Sequence, residues 1–328
     1  MTQPNAVGLP RHEFVYCILS HGKSDQTLRL IRTIRASSPE SAILLHHDAK
    51  SPPPAESLLE QSGARLVTPR VAATWGDFSL VEAMRSCIHY ALAHIDFDWF
   101  VMLSGQDYPL RPIAQSEDDL RQCQYDAFVR ASPVTAGPYA FRYYMSYWKL
   151  PRFRYMHRVP HPLTRILEAS RDFVNRKCKW VRIQPGQNGA PPRVGIGIFG
   201  HPFSAGFVCY KGSQWMTLSR QAVDYICRFE VDQPNVMEHY RRTLIPDESY
   251  FQTILCNAGE LRICDDHRRL ILWDDVKLAH PITLSMKHFH TLVESGKDFG
   301  RKFDMVVDAE ILDALDSVVL ANRNPQFA

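Results

Sequence analysis

The sequence has 328 residues, a length that corresponds to about two domains or one large one. Hydrophobic residues make up 45% and charged residues 22% of the chain. This composition is typical of a globular protein and excludes collagen-like, disordered and coiled-coil proteins. The formal net charge of +3 is too small for a protein dedicated to coating nucleic acid, although a local basic patch could bind phosphate.

Targeting and redox features of the sequence predict a cytoplasmic protein. No apolar run reaches the roughly 18 residues that span a bilayer, and residues 1–13 lack the basic and apolar regions of a signal peptide. The eight cysteines are scattered without a C-x-x-C pair, so neither a disulfide framework nor a zinc site is expected. Segments rich in arginine and aromatic residues leave peripheral contact with the inner face of the membrane open.

The N-terminal part of the chain, through residue 130, alternates short apolar runs with helical patterns. Strands are predicted, in chain order, at 14–20, 42–48, 64–68, 99–105 and 127–130. Helices are predicted between them at 25–36, around 58–59, and from Ser79 to Leu92. This alternation predicts an α/β fold with a Rossmann-like, mostly parallel central sheet flanked by helices.

Residues 133–202 have a looser pattern that is rich in proline, aromatic residues and arginine. A regular pattern of apolar residues resumes with the run at 207–210. Further on, helices are predicted at 213–229 and 247–256, and strands at 261–264 and 270–273. The sequence contains no internal repeat and no low-complexity segment.

Ligands of such sheets bind beyond the carboxyl ends of the strands, so the residues after each predicted strand are candidates for a binding site. Ser20 and His21 follow the first strand, and Asp48 ends the second. Asp48 either contacts a nucleoside or caps a turn. Asp107 follows the fourth strand and either holds a sugar hydroxyl or a ribose, or caps a turn.

Three acidic motifs could support chemistry. Asp247 and Glu248 open a predicted helix, where the helix dipole alone explains them; the functional alternative is that Glu248 is a general base for an acceptor hydroxyl. The motif at 96–98 resembles the D-x-D of metal-dependent sugar-nucleotide transferases, but it precedes a strand instead of following one. The pair at 265–266 follows a predicted strand and is the candidate for a metal-dependent alternative.

Two basic segments could bind anions or rings. Residues 295–304 contain Arg301 and Lys302, whose charges either neutralise a diphosphate leaving group or belong to a solvated charge run. Residues 139–158 interleave aromatic residues with arginines, and they either stack sugars or nucleobases or cover the core. The sequence has no P-loop, nucleophile elbow or H-E-x-x-H motif, which argues against NTPases, α/β-hydrolases and zincins.

Seven short segments, taken together and in order, resemble the family of core-2/I-branching β-1,6-N-acetylglucosaminyltransferases and peptide O-xylosyltransferases (glycosyltransferase family 14). The segments are Ile18-Leu-Ser-His21, His47-Asp48, Trp75-Gly76 with Ser79-Leu-Val81, Leu103-Ser-Gly-Gln-Asp-Tyr-Pro109, Lys211-Gly-Ser-Gln-Trp215 with Leu218-Ser-Arg220, Ile245-Pro-Asp-Glu248 and Phe299-Gly-Arg-Lys-Phe-Asp304. Each is weak alone, but their order within residues 14–310 makes the resemblance fairly specific.

The resemblance implies a GT-A-type fold and metal-independent transfer of a sugar from a UDP-sugar, with inversion at the anomeric carbon. Glu248 matches the catalytic base, and Lys302 matches the lysine that offsets the diphosphate charge in place of a metal. The family's second diphosphate-binding cation has no clean match at 277–287, so we assign this role to Arg301 instead. No cofactor and no divalent metal are expected.

The other expected site residues follow from the same resemblance. The donor site is expected to include Ser20, His21, Asp48, Trp75 and Asp107 beside Arg301 and Lys302, with Asp48 at the uridine-contacting position. The acceptor site is expected to include Asp247, Trp215 and Tyr144. The chain then divides into a flexible N-terminus (1–13), a Rossmann-like nucleotide-sugar-binding half (14–132), an acceptor-binding and catalytic half of the same GT-A domain (133–310), and a C-terminal helix or tail (311–328).

The sequence departs from the family's secretory-pathway members, because it shows neither their N-terminal membrane anchor nor their disulfides. It resembles a soluble bacterial-type relative, for which a polysaccharide or lipid-linked glycan is the expected acceptor. N-acetylglucosamine or xylose is the expected sugar, and nucleic acid is not an expected partner. Two other functions stay open: a non-catalytic glycan- or nucleic-acid-binding protein that uses residues 139–158, and a metal-dependent GT-A transferase.

Overall fold

The computed structural model describes residues 8–22, 24–135, 140–151, 161–186, 189–197, 200–273 and 281–321. The strands are β1 (Phe14–Ser20), β2 (Ala42–His47), β3 (Ala64–Leu66), β4 (Trp99–Ser104), β5 (Asp107–Pro109), β6 (Ala127–Pro133), β7 (Ser146–Lys149), β8 (Val181–Gln184), β9 (Arg193–Ile196), β10 (Tyr210–Ser219), β11 (Ile263–Cys264), β12 (Arg269–Ile271) and β13 (Phe299–Arg301). The α-helices are α1 (Ser24–Ser37), α2 (Glu56–Ser62), α3 (Ser79–His94), α4 (Ile113–Gln122), α5 (Ala140–Tyr144), α6 (His161–Lys177), α7 (Arg220–Asp232), α8 (Pro234–Tyr240), α9 (Tyr250–Cys256), α10 (Phe289–Glu294) and α11 (Glu310–Val319), with 3-10 turns at Pro246–Glu248 and Met286–His288. Among the described helices, none has the length and apolar character needed to cross a membrane.

A seven-stranded sheet forms the centre of the protein, with its strands in the order β11-β6-β10-β4-β1-β2-β3. The pairs β1–β2, β1–β4, β2–β3 and β6–β11 are parallel, whereas β10 runs antiparallel to its neighbours β4 and β6. The predicted α/β fold, with a Rossmann-like, mostly parallel central sheet flanked by helices, is confirmed. The chain proceeds outward from β1 in both directions, so a ligand crevice is expected at the carboxyl ends of β1 and β4.

Alternating residues of β1 face two hydrophobic cores, one on each side of the sheet. Val15 and Cys17 belong to the core that includes residues of α3, α7 and α9. Phe14, Tyr16 and Ile18 belong to the core that includes residues of α1, α4 and α11. Burial on both faces explains the uninterrupted apolar run from which β1 is predicted.

The segment 213–219 corrects a predicted helix. Strand β10 continues through this segment to Ser219, and α7 begins only at Arg220. Met216 and Leu218 are fully buried where β10 pairs with β4 and β6. Hydrogen bonding on both edges of β10 therefore outweighs the helical spacing of its apolar residues, and Ser219 serves as the N-cap of the delayed helix.

Two three-stranded sheets flank the central sheet. In the sheet β12-β13-β5, Arg301 of β13 lies opposite Asp107 of β5. In the sheet β7-β9-β8, Arg193 of β9 donates a 3.0 Å hydrogen bond to Asp77, two residues after Trp75. The first sheet thus places a cation beside the end of β4, and the second packs against the loop that contains Trp75.

Glu230 of α7 is a buried carboxylate that Arg85 of α3 holds in place. Arg85 donates two hydrogen bonds to it, at 2.7 and 2.8 Å, and only 5% of the Glu230 side chain is exposed. Burial opposes ionisation, but hydrogen bonds from His89 and Arg85 outweigh it and lower the pKa of Glu230 to about 2. Arg85→Met is expected to lower the free energy of unfolding by roughly 3 kcal/mol, because it leaves the buried charge without its arginine, with only His89 and Tyr250 beside it.

Urea unfolding, followed by tryptophan fluorescence, measures this loss. Because the pKa of Glu230 is lower in the folded than in the unfolded chain, the stabilisation is complete above about pH 5 and disappears as the pH falls toward 2. Arg228→Met is the matched control, since the ion pair of Arg228 with Glu260 is exposed and should contribute less than about 1 kcal/mol. Equal losses in the two variants would contradict a special role for the buried pair.

Candidate active site

A cavity of about 1010 Å³ lies beyond the carboxyl ends of β1, β2 and β4. Nine of the eleven predicted site residues line it, namely Ser20, His21, Asp48, Trp75, Trp215, Asp247, Glu248, Arg301 and Lys302. The fold thus gathers side chains from both ends of the sequence at the edge of the sheet where a ligand is expected.

The two other predicted residues, Asp107 and Tyr144, do not line the cavity. The buried Asp107 carboxylate accepts hydrogen bonds from the backbone amide and the hydroxyl of Ser104, both at 2.9 Å, and it contacts Arg301. Asp107 is therefore placed to act on the cavity through Arg301. The Tyr144 hydroxyl donates to the carbonyl of Val134 at 3.0 Å, so its predicted contact with an acceptor stays a prediction.

Asp247 and Glu248 lie on the 3-10 turn that precedes α9. Helix α9 begins two residues after Glu248, so the two acids precede this helix instead of forming its first turn, as the predicted helix over 247–256 would require. The turn is anchored by the amide of Ile245, which donates to the Gly76 carbonyl at 3.2 Å. The helix-dipole explanation for the two acids is accordingly weak, because the dipole acts within the first turn.

Both carboxyl groups of this turn have raised pKa values. Asp247 is 6% exposed, and burial, followed by the negative charge of Glu248, raises its pKa to about 7. The buried Oδ1 atom of Asp247 has no hydrogen-bond partner among the described residues. Burial also raises the pKa of Glu248, while Arg142 and Lys211 act in the opposite direction. A half-buried carboxylate with a raised pKa, open to a cavity, suits a general base.

Arg301 and Lys302 bring two positive charges to the cavity. The Arg301 guanidinium donates to Ser104 Oγ at 3.2 Å and Asp107 Oδ1 at 3.3 Å, and it lies 4.4 Å from the centre of the Trp215 ring. Lys302 has no carboxylate partner among the described residues. An ammonium without a paired anion, on the wall of a cavity, suits an anionic ligand such as a diphosphate.

Hydrogen bonds join the carboxyl ends of β1 and β2. His47 links the hydroxyls of Ser20 and Ser51, at 2.8 and 3.0 Å, and the adjacent His46 accepts a backbone hydrogen bond. Burial lowers the pKa of both histidines, so they are neutral at pH 7. As uncharged groups, His47 joins the ends of β1 and β2, and His46 holds the amide of Val71. Asp48 follows them and accepts the backbone amide two residues on, which is the turn-capping role, while it also lines the cavity.

Arg269 and Gly212 are among the cavity residues that were not predicted from the sequence. Arg269 of β12 is buried and donates to the carbonyls of Met102 and Met216, at 2.7 and 3.2 Å. Gly212 lies in β10 where a Cβ atom would come 1.8 Å from the carbonyl oxygen of Arg130. A glycine inside a strand is a signal of close backbone approach, whereas the charged run around Arg269 carries no such signal.

The acidic pairs considered as metal ligands have other partners. Asp265 accepts a backbone amide at 3.0 Å, and Asp266 pairs with Lys297. Asp96 and Asp98 lie at the opposite end of β4 from the cavity, where both contact an arginine. Within the described ranges, no three His, Cys, Asp or Glu side chains form a group that could hold a metal ion.

The aromatic and arginine-rich stretch at 139–158 is described only for 140–151. Tyr143 and Tyr147 of this part are buried in the core, which favours the packing interpretation over a stacking platform. The remainder of the stretch lies outside the described residues, as does 274–280, which includes the start of the segment considered for a second diphosphate-binding cation.

The family model of the Core-2/I-branching enzymes matches residues 14–293. The match covers most of the chain, and the chain belongs to this family. The family predicted from the seven short segments is thereby confirmed.

The chain is similar in sequence to three curated glycosyltransferases. The chain is 30% identical to the beta-glucuronosyltransferase GlcAT14A of Arabidopsis thaliana over 235 residues, covering 70% of this chain and 44% of the relative. It is 29% identical to GlcAT14B of the same plant over 229 residues, covering 69% and 44%. It is 24% identical to xylosyltransferase 1 of Rattus norvegicus over 332 residues, covering 94% and 35%. The chain thus spans less than half the length of each of these relatives.

Proposed function

We propose that this protein is an inverting glycosyltransferase that moves a sugar from a UDP-sugar to a hydroxyl acceptor without a metal ion. The observation that carries the proposal is that one cavity holds both the carboxyl group of Glu248 and the ammonium of Lys302, which has no carboxylate partner among the described residues. Membership in the Core-2/I-branching enzyme family supports a sugar-transfer reaction, as do the names of its glucuronosyl- and xylosyltransferase relatives.

Glu248 is the proposed general base. Its carboxylate takes the proton of the acceptor hydroxyl while that oxygen bonds to the anomeric carbon of the donor. The bond between this carbon and the UDP oxygen breaks on the opposite face, so the anomeric configuration inverts. The proton ends on Glu248, and the electron pair of the broken bond ends on the diphosphate.

Lys302 and Arg301 are the proposed counter-charges for the departing diphosphate. Asp107 and Ser104 fix the Arg301 guanidinium, and the Trp215 ring lies against it. A cation that is already held in place does not have to reorganise when negative charge develops on the leaving group. This is the role that a divalent metal has in metal-dependent transferases.

The remaining assignments concern the uridine, the acceptor and the compartment. Asp48, at the end of β2, is the proposed uridine contact, and Asp247, with its unpartnered buried oxygen, is the proposed acceptor contact. The proposed acceptor is a polysaccharide or a lipid-linked glycan. All eight cysteines are free thiols, which supports the cytoplasm as the proposed compartment.

A donor panel tests this function. UDP release is measured in EDTA with UDP-N-acetylglucosamine, UDP-xylose and UDP-glucuronic acid, the last because of the relatives' names, and with simple alkyl glycosides as acceptors. Anomeric coupling constants of the product, from NMR, report its configuration. A β-linked product from an α-linked donor is expected. A retained configuration, or release that requires a metal, would contradict the mechanism, and donor binding without release would favour the non-catalytic alternative.

The pH dependence of kcat/KM follows from the burial of Glu248. Because the base must be ionised, and because burial raises its pKa above the usual 4.5, the acid limb of the profile is expected above pH 4.5. The pKa of Asp247 is about 7, so Asp247 is already neutral on this acid limb, and Asp247→Asn is expected to leave the limb in place. An acid limb at or below the usual carboxyl value in the wild type would contradict the assignment of Glu248.

A further inference from the structure

Helix α6 presents large apolar side chains to solvent. Ile166, Leu167 and Phe173 are 59%, 55% and 59% exposed, and Trp180, three residues after the helix, is 61% exposed. Ile166 and Phe173 are seven residues apart, so they lie on the same face of the helix. Such side chains are usually buried, and an exposed group of them marks an interaction surface.

The opposite side of α6 is fixed to the protein. The side chain of Asn175 makes two hydrogen bonds with the backbone of Ile183 in β8, at 3.0 and 2.8 Å. Arg171 and Val174 are partly buried, unlike the apolar residues of the outer side. The helix therefore has one attached face and one open face.

Positive charge surrounds the open face. Residues 161–182 contain six basic and two acidic side chains, an excess larger than the net charge of +3 of the whole chain. Arg165 and Arg176 are eleven residues apart and therefore share one flank of the helix. Lys177 lies one turn after Phe173, and the acidic Asp172 is paired with Arg171.

We propose that this surface, formed by Ile166, Leu167, Phe173 and Trp180 with the surrounding arginines and lysines, docks on an anionic lipid bilayer. Apolar side chains on one face of a helix enter the boundary between headgroups and acyl chains, and flanking cations bind anionic headgroups. Trp180 suits this boundary because its ring is apolar and its N–H can remain hydrated.

The α6 surface is connected through a small sheet to the loop that lines the candidate active site. The sheet β7-β9-β8 carries α6, and it contacts Asp77 through Arg193 and Lys149, at 3.0 and 2.8 Å. Asp77 belongs to the loop whose Trp75 lines the cavity. The α6 surface is thus joined by contacts to the wall of the cavity, and on a membrane the cavity would lie near lipid-linked acceptors. This last step rests on the proposed function, whereas the docking itself does not.

Vesicle flotation without nucleotide or sugar tests the proposal. The protein is mixed with vesicles of phosphatidylcholine alone, or with about 30 mol% phosphatidylglycerol, and floated at low and high salt. At least tenfold more protein is expected to float with the anionic vesicles, and binding should weaken with salt because exposed charges are screened. Absence of flotation with anionic vesicles would overturn the proposal.

Matched variants separate this surface from nonspecific binding. Ile166→Ser with Phe173→Ser is expected to abolish flotation, whereas Val306→Ser with Val307→Ser, which changes two exposed valines near the C-terminus, should not alter it. Both pairs are exposed, so folding should persist, and far-UV circular dichroism checks the fold. Unchanged flotation of the α6 variant would contradict the proposal.

Variants that remove positive charges test the electrostatic contribution to lipid binding separately. Arg165→Gln with Arg176→Gln is expected to reduce anionic flotation at least tenfold, while Arg228→Gln with Arg262→Gln, two exposed arginines elsewhere, should have little effect. Equal effects of the two pairs would overturn the assignment to α6. A protein dimer that dissociates in the serine variant and does not float would show that a second copy covers this face instead.

Discussion

Glu248→Gln is expected to lower kcat for sugar transfer about 10²–10⁴-fold, the usual contribution of a general base, and to leave the Kd for UDP almost unchanged. The amide occupies the same space as the carboxylate, but it cannot take the proton of the acceptor hydroxyl. UDP binding depends on the other groups of the cavity, so a calorimetric titration of the variant should resemble that of the wild type.

Glu238→Gln provides the control for this experiment. Glu238 is an exposed glutamate of α8 that pairs with Arg241, and it does not line the cavity. Its variant should transfer sugar at the wild-type rate. Transfer by Glu248→Gln within a few-fold of the wild type would remove Glu248 from the mechanism, and loss of UDP binding would indicate a structural role instead.

Lys302→Ala is expected to raise the Kd for UDP about 10–100-fold, because a hydrogen bond to a charged group contributes about 1.5–3 kcal/mol. Uridine has no phosphate, so its binding should change little. The ratio of the two affinities therefore reports the diphosphate contact separately from any general damage to the site. Competition titrations with both ligands measure it.

Lys177→Ala is the matched control for Lys302, because it removes an exposed lysine from α6. Its Kd for UDP should equal that of the wild type at moderate salt. A similar loss of UDP and uridine binding in Lys302→Ala would contradict the diphosphate role. Loss in both lysine variants would indicate an effect of total charge.

The central strands could be predicted because their sequence signal is local. Strands β1 and β4 are apolar runs whose side chains are buried on both faces, and such runs are recognisable without knowledge of the fold. The residues after them, including Ser20, could therefore be assigned to the ligand edge of the sheet.

Strand β10 could not be predicted in the same way. Its conformation depends on β4 and β6, which are both remote in the sequence and pair with its two edges. A window of sequence around Trp215 contains no information on these partners. The predicted helix over 213–229 therefore begins too early, and only its later part exists as α7.

The candidate site, like the fold, could be predicted only in part from the sequence. The sequence around Glu248 and Lys302 allowed both a structural and a functional interpretation. Only the family resemblance selected a role for each residue. The contact between Arg301 and Asp107 depends on the pairing of β13 with β5, which no local pattern predicts. The same reason explains why Arg269 was missed, since its place depends on the pairing of β12 with β13 and on the carbonyls of Met102 and Met216, all remote in the sequence.

A calorimetric titration of UDP into the protein, in EDTA and again with manganese, tests the central claim most directly. The claim is that side-chain cations replace a metal at the donor diphosphate. We expect the same Kd under both conditions, together with a loss of affinity in Lys302→Ala. Binding that occurs only with manganese would contradict this account of the donor site.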